Sequence, residues 1–126
     1  MAMRVKDLEA DVNKQNEAMK IRRTKQFKQI RDDLMVQLIK TGANTPAFEN
    51  MVDQYMDFYV TTQLCRLDIQ NRGVFVEYDN GGGQSGVTDN PSINYMRQAN
   101  TQMIKILQYL KISVQQTTVG EADDEL

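Results

Sequence analysis

The sequence of 126 residues contains no histidine, no tryptophan and a single cysteine. Histidine is the side chain that most often moves protons near neutral pH, so Cys65 has no imidazole to activate it as a nucleophile. Because Cys65 lies inside a helical pattern, we expect a small buried residue at this position. The aspartates and glutamates are not spaced as a metal cage or a paired carboxylate site. The sequence therefore predicts a protein that is not an enzyme and uses no metal and no cofactor.

Long apolar runs are missing as well. The longest runs are far too short to cross a bilayer, and the N-terminus lacks the apolar centre of a signal peptide. Apolar residues make up 40% of the chain and charged residues 25%, which is ordinary for a globular domain. The length suits one domain. We expect a cytoplasmic protein with no membrane partner.

The net charge of −2 conceals a strong segregation of charge along the chain. Residues 20–31 carry six cations and no acid, and residues 113–126 carry four acids and no base. The cations are Lys20, Arg22, Arg23, Lys25, Lys28 and Arg31, and the acids are Glu121, Asp123, Asp124 and Glu125. This separation indicates two partners, an anionic one at the front of the chain and a protein at the back.

The six cations are candidate DNA-binding residues. Cations at this density can neutralise duplex phosphates and release counterions, which gives affinity without sequence preference. No aromatic residue is interleaved before Phe27, so we expect contact with the DNA backbone rather than stacking on bases. The alternative is a helix face that is simply exposed to water. The four acids of the tail are the candidate residues for binding a protein partner.

Apolar spacing predicts an all-α fold of long helices. Phe27, Ile30, Leu34 and Leu38 share one helical face, and this helix is expected to end near residues 41–42. A second helix opens at Thr45-Pro46, and a third runs from Pro91 to about Ile112. The stretch from Lys20 to Lys25 is charged on nearly every side, which predicts that it stands clear of the body.

The second and third helices both have broad apolar faces. In so small a chain this predicts that subunits pack against each other, with methionines such as Met103 either filling the core or forming an adaptable contact. The alternative is a compact monomer of three helices.

A small β flap is predicted between the second and third long helices. Gly73 ends the second helix, residues 74–78 alternate as a strand does, and Asn80-Gly81 favours a tight hairpin turn. Residues 81–86 match G-x-G-x-x-G, but no helix follows at once and no acid stands about twenty positions on, so we reject a dinucleotide site. Asn90 is expected to cap the third helix.

These patterns divide the chain into three parts. Residues 1–26 are predicted to form a charged helix that acts as a DNA-binding arm. Residues 27–112 are predicted to form a helical oligomerisation core that carries the β flap at 73–90. Residues 113–126 are predicted to be a disordered acidic tail.

The order of these features across residues 24–112 resembles the small terminase subunit of tailed bacteriophages. The resemblance is carried by the helix from Phe27 to Lys40, the aromatic helix with Tyr55 and Tyr59, and the run from Met103 to Leu110, together with Arg72-Gly73-Val74, the glycine-rich turn and Asn90-Pro91. It implies a non-enzymatic, ring-forming protein of the host cytoplasm that binds double-stranded viral DNA and hands it to the large terminase subunit. The DNA contacts themselves are assigned by charge, because no motif carries them over.

Two other functions remain open from the sequence. One is a structural adaptor of the phage head or neck, which needs no affinity for DNA. The other is a nucleotide-dependent enzyme, against which the missing histidine and the missing phosphate-loop lysine both argue.

Overall fold

The computed structural model describes residues 16–112, and the predicted acidic tail lies outside them. Residues 16–22 are helical and are called α1 here. The further elements are α2 (Lys25–Lys40), α3 (Pro46–Arg72), β1 (Phe75–Asp79), β2 (Ser85–Asp89) and α4 (Pro91–Tyr109). The prediction of a mainly helical fold with a small hairpin between the second and third long helices is confirmed. Within residues 16–112, no helix combines the length and the hydropathy needed to cross a membrane.

The charged N-terminal stretch is interrupted rather than continuous. The chain leaves α1 at residues 23–24 and restarts as α2, where the Thr24 hydroxyl accepts a hydrogen bond from the Phe27 amide at 3.2 Å. A threonine in this position caps the new helix and satisfies one of its unpaired amides. Ala18 and Ile21 of α1 pack against the core. The expectation that residues 20–25 stand clear of the body is therefore wrong, because the apolar side of α1 is partly buried.

The core lies between α2, α3 and the C-terminal part of α4. Leu38 and Val52 are fully buried, and the Phe27 and Tyr59 rings meet with their centroids 6.0 Å apart. The core residues of these helices and the following turn are Phe27, Leu34, Leu38, Val52, Met56, Tyr59, Val60, Ile106, Leu110 and Ile112. Because α4 returns alongside α3 and α2 packs on the same helix, the broad apolar face of α3 is shared between two neighbours in its own chain.

This packing changes the account of the broad apolar faces. Met103, for which the sequence left both a core role and a subunit contact open, packs against the core inside its own chain. The exposed apolar residues of α4 are Tyr95, Ile104 and Tyr109. These exposed side chains, rather than Met103, are therefore available for contact with another subunit. Ring assembly itself stays a prediction.

A glycine and an asparagine stand at the two ends of the hairpin and fix it to the helices. Gly73 ends α3 with φ of 87°, and its amide donates to the carbonyl of Ile69 at 2.7 Å. Only glycine adopts this backbone conformation without strain. Asn90 caps α4 by accepting from the Ser92 amide at 2.9 Å, as predicted.

The tip of the hairpin differs from the expected two-residue turn at Asn80-Gly81. The strands pair antiparallel from Phe75 opposite Asp89 to Asp79 opposite Ser85, which leaves five residues, 80–84, in the loop. Gly81, Gly82 and Gly83 all have positive φ. Three consecutive glycines allow a wider loop, which is closed by a hydrogen bond from the Asn80 amide to the Gln84 carbonyl at 2.8 Å.

Candidate nucleic-acid interface

Three of the six candidate DNA-binding cations are already engaged with acids. Arg22 Nη2 lies 2.7 Å from Asp57 Oδ1, and Arg31 Nε lies 3.2 Å from Asp53 Oδ1. Lys20 Nζ lies 3.2 Å from Glu17 Oε1, one turn back on α1. These side chains are well exposed, so each pair contributes little to stability. They do affect the position of the basic segment, because the pairs made by Arg22 and Arg31 join it to α3.

The ion pairs that Asp53 and Asp57 form with arginines were not predicted from the sequence. The two aspartates are four residues apart on α3, which is the spacing of a solvated helix face. The structure shows that this face meets the arginines of α1 and α2. Arg22 also lies over the Phe27 ring, with its guanidinium carbon 5.8 Å from the ring centroid, a distance at which a cation is attracted to the aromatic face.

The other three cations, Arg23, Lys25 and Lys28, have no ion-pair partner among the described residues. All three are exposed, and they surround the start of α2. The first turn of α2 contains no acid. The unpaired amides of a helix N-terminus attract anions, and phosphate is bound well where cations lie beside them.

The acids Asp32 and Asp33 follow in the next part of α2, and both are exposed. Because these two acids offset positive charge further along α2, the excess of cations is confined to the turn before α2 and to its first turn. The six predicted residues are thus brought together on one stretch of the fold, but only Arg23, Lys25 and Lys28 present cations that are free to meet phosphates.

A second polar cluster joins the end of α3 to the start of α4. Arg72 donates to both carboxylate oxygens of Asp68, from Nε to Oδ1 at 2.6 Å and from Nη2 to Oδ2 at 2.7 Å. Ser92 Oγ donates to Asp68 Oδ2 at 2.6 Å. Asn90, which is 1% exposed, donates to the Gly73 carbonyl at 2.9 Å and accepts from Arg72 at 3.2 Å. We call Asp68, Arg72, Asn90 and Ser92 the hairpin clamp.

The electrostatics of the clamp follow from these contacts. The Arg72 guanidinium and the Ser92 hydroxyl hold the pKa of Asp68 well below its usual range, against the opposing effect of partial burial. Burial raises the pKa of the nearby Cys65 thiol, and this cysteine is 7% exposed. The prediction of a buried residue at Cys65 is confirmed, and its thiol is kept in the protonated, unreactive form. Among residues 16–112, no group of three potential metal ligands comes together.

Comparison with known families identifies the kind of protein. Residues 27–123 match the family model of the phage terminase, small subunit. The chain belongs to this family. The match spans α2, α3, the hairpin and α4, which are the elements that carried the resemblance in the sequence, and it places the chain in phage DNA packaging. No match was found among curated proteins or among solved structures.

The limits of the family match bear on the two charged segments. It begins at Phe27, so it includes Lys28 and Arg31 but leaves out the other four candidate cations. At the other end it includes Glu121 and Asp123 but not Asp124 and Glu125. Neither segment is therefore assigned a role by the family as a whole, and both assignments stay predictions based on charge.

The clamp predicts a specific stability effect. Asn90→Ala should lower the free energy of unfolding by about 1–3 kcal/mol, because it leaves the partly buried Gly73 carbonyl and Ser92 amide without their partner. Urea unfolding followed by circular dichroism measures the change. Asn94→Ala, at an exposed asparagine on the same helix, is the matched control and should change stability by less than about 0.5 kcal/mol. Equal effects of the two substitutions would contradict the role given to Asn90.

A further prediction concerns pH. Since the folded-state pKa of Asp68 is depressed, the stability it contributes is fully present above the ordinary aspartate pKa of about 3.9 and is lost as pH falls toward the folded value. Asp68→Asn should therefore destabilise the protein at pH 7, and the difference from the wild type should shrink as pH falls below about 4. Thermal melts from pH 7 to pH 3 test this. A difference that stays constant over the whole range would show that the charge of Asp68 is not what stabilises the clamp.

Proposed function

We propose that this chain binds double-stranded viral DNA, assembles as a ring and recruits the large terminase subunit in the cytoplasm of the host, without catalytic activity of its own. Membership of the terminase small-subunit family supports the general role in packaging. The DNA-binding role is supported by one observation above others: Arg23, Lys25 and Lys28 are exposed and lack acidic partners among the described residues, at a helix start that itself attracts anions.

The arrangement suits contact with the DNA backbone. Lysine and arginine at a helix start can meet phosphates without reading bases, and such contacts position a protein on the duplex. The aromatic residue of this segment, Phe27, is buried and packs on Tyr59, so it is not available to stack on bases. We therefore expect affinity with a strong salt dependence and little preference for sequence.

The DNA prediction follows from this surface. Replacing Lys25 and Lys28 by glutamine should weaken binding to all duplex sequences alike. It should also reduce the slope of log affinity against log salt by about two for each engaged subunit, from roughly 0.9 per phosphate contact. Fluorescence anisotropy titrations over a salt series provide the measurement.

The matched control removes two other exposed cations. Lys40 and Arg66 have no ion-pair partner among the described residues, and their replacement by glutamine changes the net charge equally. This control should keep the wild-type slope. If both variants lose affinity equally, only the net charge matters and the start of α2 is not the DNA surface. If the wild type has no affinity for DNA, the adaptor function of the phage head or neck is favoured instead.

For the large subunit we propose a contact made by the acidic tail. Opposite charge across an interface speeds association and selects partners, so four acids without a base suit a basic surface on the motor protein. Replacing Glu121 and Glu125 by glutamine and Asp123 and Asp124 by asparagine should weaken binding to the large subunit, most strongly at low salt. Folding and DNA binding should be unchanged, because the core residues are untouched.

Isothermal titration calorimetry with the purified large subunit measures this effect. A suitable control neutralises two acids elsewhere, as in Asp32→Asn with Asp33→Asn. Unchanged affinity of the neutralised tail for the large subunit would refute the recruiting role of these four residues.

A further inference from the structure

The hairpin exposes apolar side chains that residues 16–112 do not cover. Phe75 is 63% exposed and Val87 is 65% exposed, and neither belongs to the core cluster that the helices form. The two strands pair with each other, and none of the helices in the described part of the chain packs on them as α4 packs on α3. A two-stranded hairpin is at best marginally stable in water without such packing. A partner that covers these residues would remove their apolar surface from water and so stabilise the hairpin.

One face of the hairpin carries both the apolar residues and the charge. Opposite residues in antiparallel strands point to the same side, so the register places Phe75, Glu77, Asp79, Val87 and Asp89 together. We call this set the acidic hairpin face. On the other side, the Tyr78 ring lies across Gly86. Residues 73–90 contain three acids and no lysine or arginine. This face would repel phosphates and is unsuited to DNA.

A surface of opposite character lies on α4. Its outward side, away from the buried Ala99 and Ile106, presents Arg97, Ile104 and Lys105, all exposed. We call these three residues the basic α4 face. Residues 91–112 contain three cations and no acid. The two surfaces therefore carry opposite charge, and each has an exposed apolar residue beside its charges.

The dimensions of the two faces also agree. Arg97 and Lys105 are eight residues apart, which is about 12 Å along a helix. The acids of the hairpin extend from the level of Asp89, opposite Phe75, to Asp79, four residues along β1. This is about 13 Å along a strand. The acids can therefore meet both cations while Phe75 or Val87 covers Ile104.

We propose that the acidic hairpin face docks on the basic α4 face of a second copy of this chain. Within one chain the hairpin clamp fixes the hairpin at the start of α4, and the strands do not lie on residues 97–105. A contact between two different surfaces is head-to-tail and repeats from copy to copy, and it closes into a ring when the rotation allows. This inference rests on the proposed ring and names the surfaces that build it.

Charge reversal tests the contact on the full chain. One variant carries Glu77→Lys and Asp89→Lys, and a second carries Arg97→Glu and Lys105→Glu. Each opposes like charges across the interface, which should raise the concentration at half-assembly by at least about tenfold. Asp79 is left unchanged because it accepts a hydrogen bond from the Gly81 amide in the loop at 2.8 Å. Sedimentation velocity over a concentration series gives the assembly midpoint.

The decisive variant combines all four substitutions. It restores opposite charges at the positions of Glu77 and Asp89, while Asp79 stays acidic. Assembly should therefore recover most of the loss and return to within about threefold of the wild-type midpoint, below the tenfold loss that corresponds to about 1.4 kcal/mol. Mixing the two separate variants should also restore assembly, because copies can then alternate around the ring. A variant that had merely misfolded would be rescued by neither. Asp32→Lys with Asp33→Lys changes the charge as the hairpin variant does and should leave assembly intact.

The outcomes separate this contact from the proposed function. A wild type that stays monomeric at all concentrations overturns both the ring and the docking. A wild type that assembles while both reversed variants assemble equally well overturns the docking alone, as does a four-substitution variant that stays dissociated. Hairpin reversal that weakens binding to the large subunit but not assembly would assign the acidic hairpin face to that protein and overturn a second copy as its occupant.

Discussion

The burial of one helix, α3, is the constraint on which the rest of the fold depends. Its residues Val52 and Met56 are removed from water by α2 on the one hand and by the returning α4 on the other. Fully burying a side chain of this size contributes about 1.5–3 kcal/mol. The short chain has few such residues, so the positions of α2 and α4 are fixed mainly by how they cover α3.

Both polar clusters depend on α3 for their geometry. Asp53 and Asp57, in its first half, receive the arginines that lie beside the basic segment. Asp68, in its last turns, receives Arg72 and Ser92 and so fixes the start of α4 and the base of the hairpin. The ion pairs of Asp53 and Asp57 are too exposed to contribute much stability. The two clusters instead fix geometry. The first determines which cations are paired with acids, and the second determines the direction in which the hairpin leaves the helices.

Local signals made much of this fold predictable. The starts of α3 and α4 were marked by Thr45-Pro46 and Asn90-Pro91, because proline suits the first helical turn and a polar residue suits the cap. The end of α3 was marked by Gly73 for an equally local reason. The interruption at Thr24 was missed, although a threonine three residues before Phe27 is a recognisable cap signal.

Contacts between distant residues could not be predicted in the same way. The pairs Arg22 with Asp57 and Arg31 with Asp53 join residues 35 and 22 positions apart, and their formation depends on the packing angle of two helices. The same holds for the donation from Asn90 to Gly73, which needs the hairpin closed. For the candidate site, the sequence therefore located the basic segment but could not tell paired cations from free ones. The sequence likewise left open whether Met103 fills the core or contacts another subunit, because the answer depends on how α4 packs in its own chain; the fold places Met103 against the core.

The charge distribution of the folded chain links the two proposed surfaces. Among the described residues, the start of α2 and the basic α4 face each bring together cations without an ion-pair partner, and either could attract a phosphate backbone. If the acidic hairpin face of a neighbour covers Arg97 and Lys105, those two cations are neutralised in the assembled state. Arg23, Lys25 and Lys28 then remain as a group of neighbouring free cations in the part of the chain that the structure describes. Assembly would thus select the DNA surface, because the same contact that joins two copies removes the competing site.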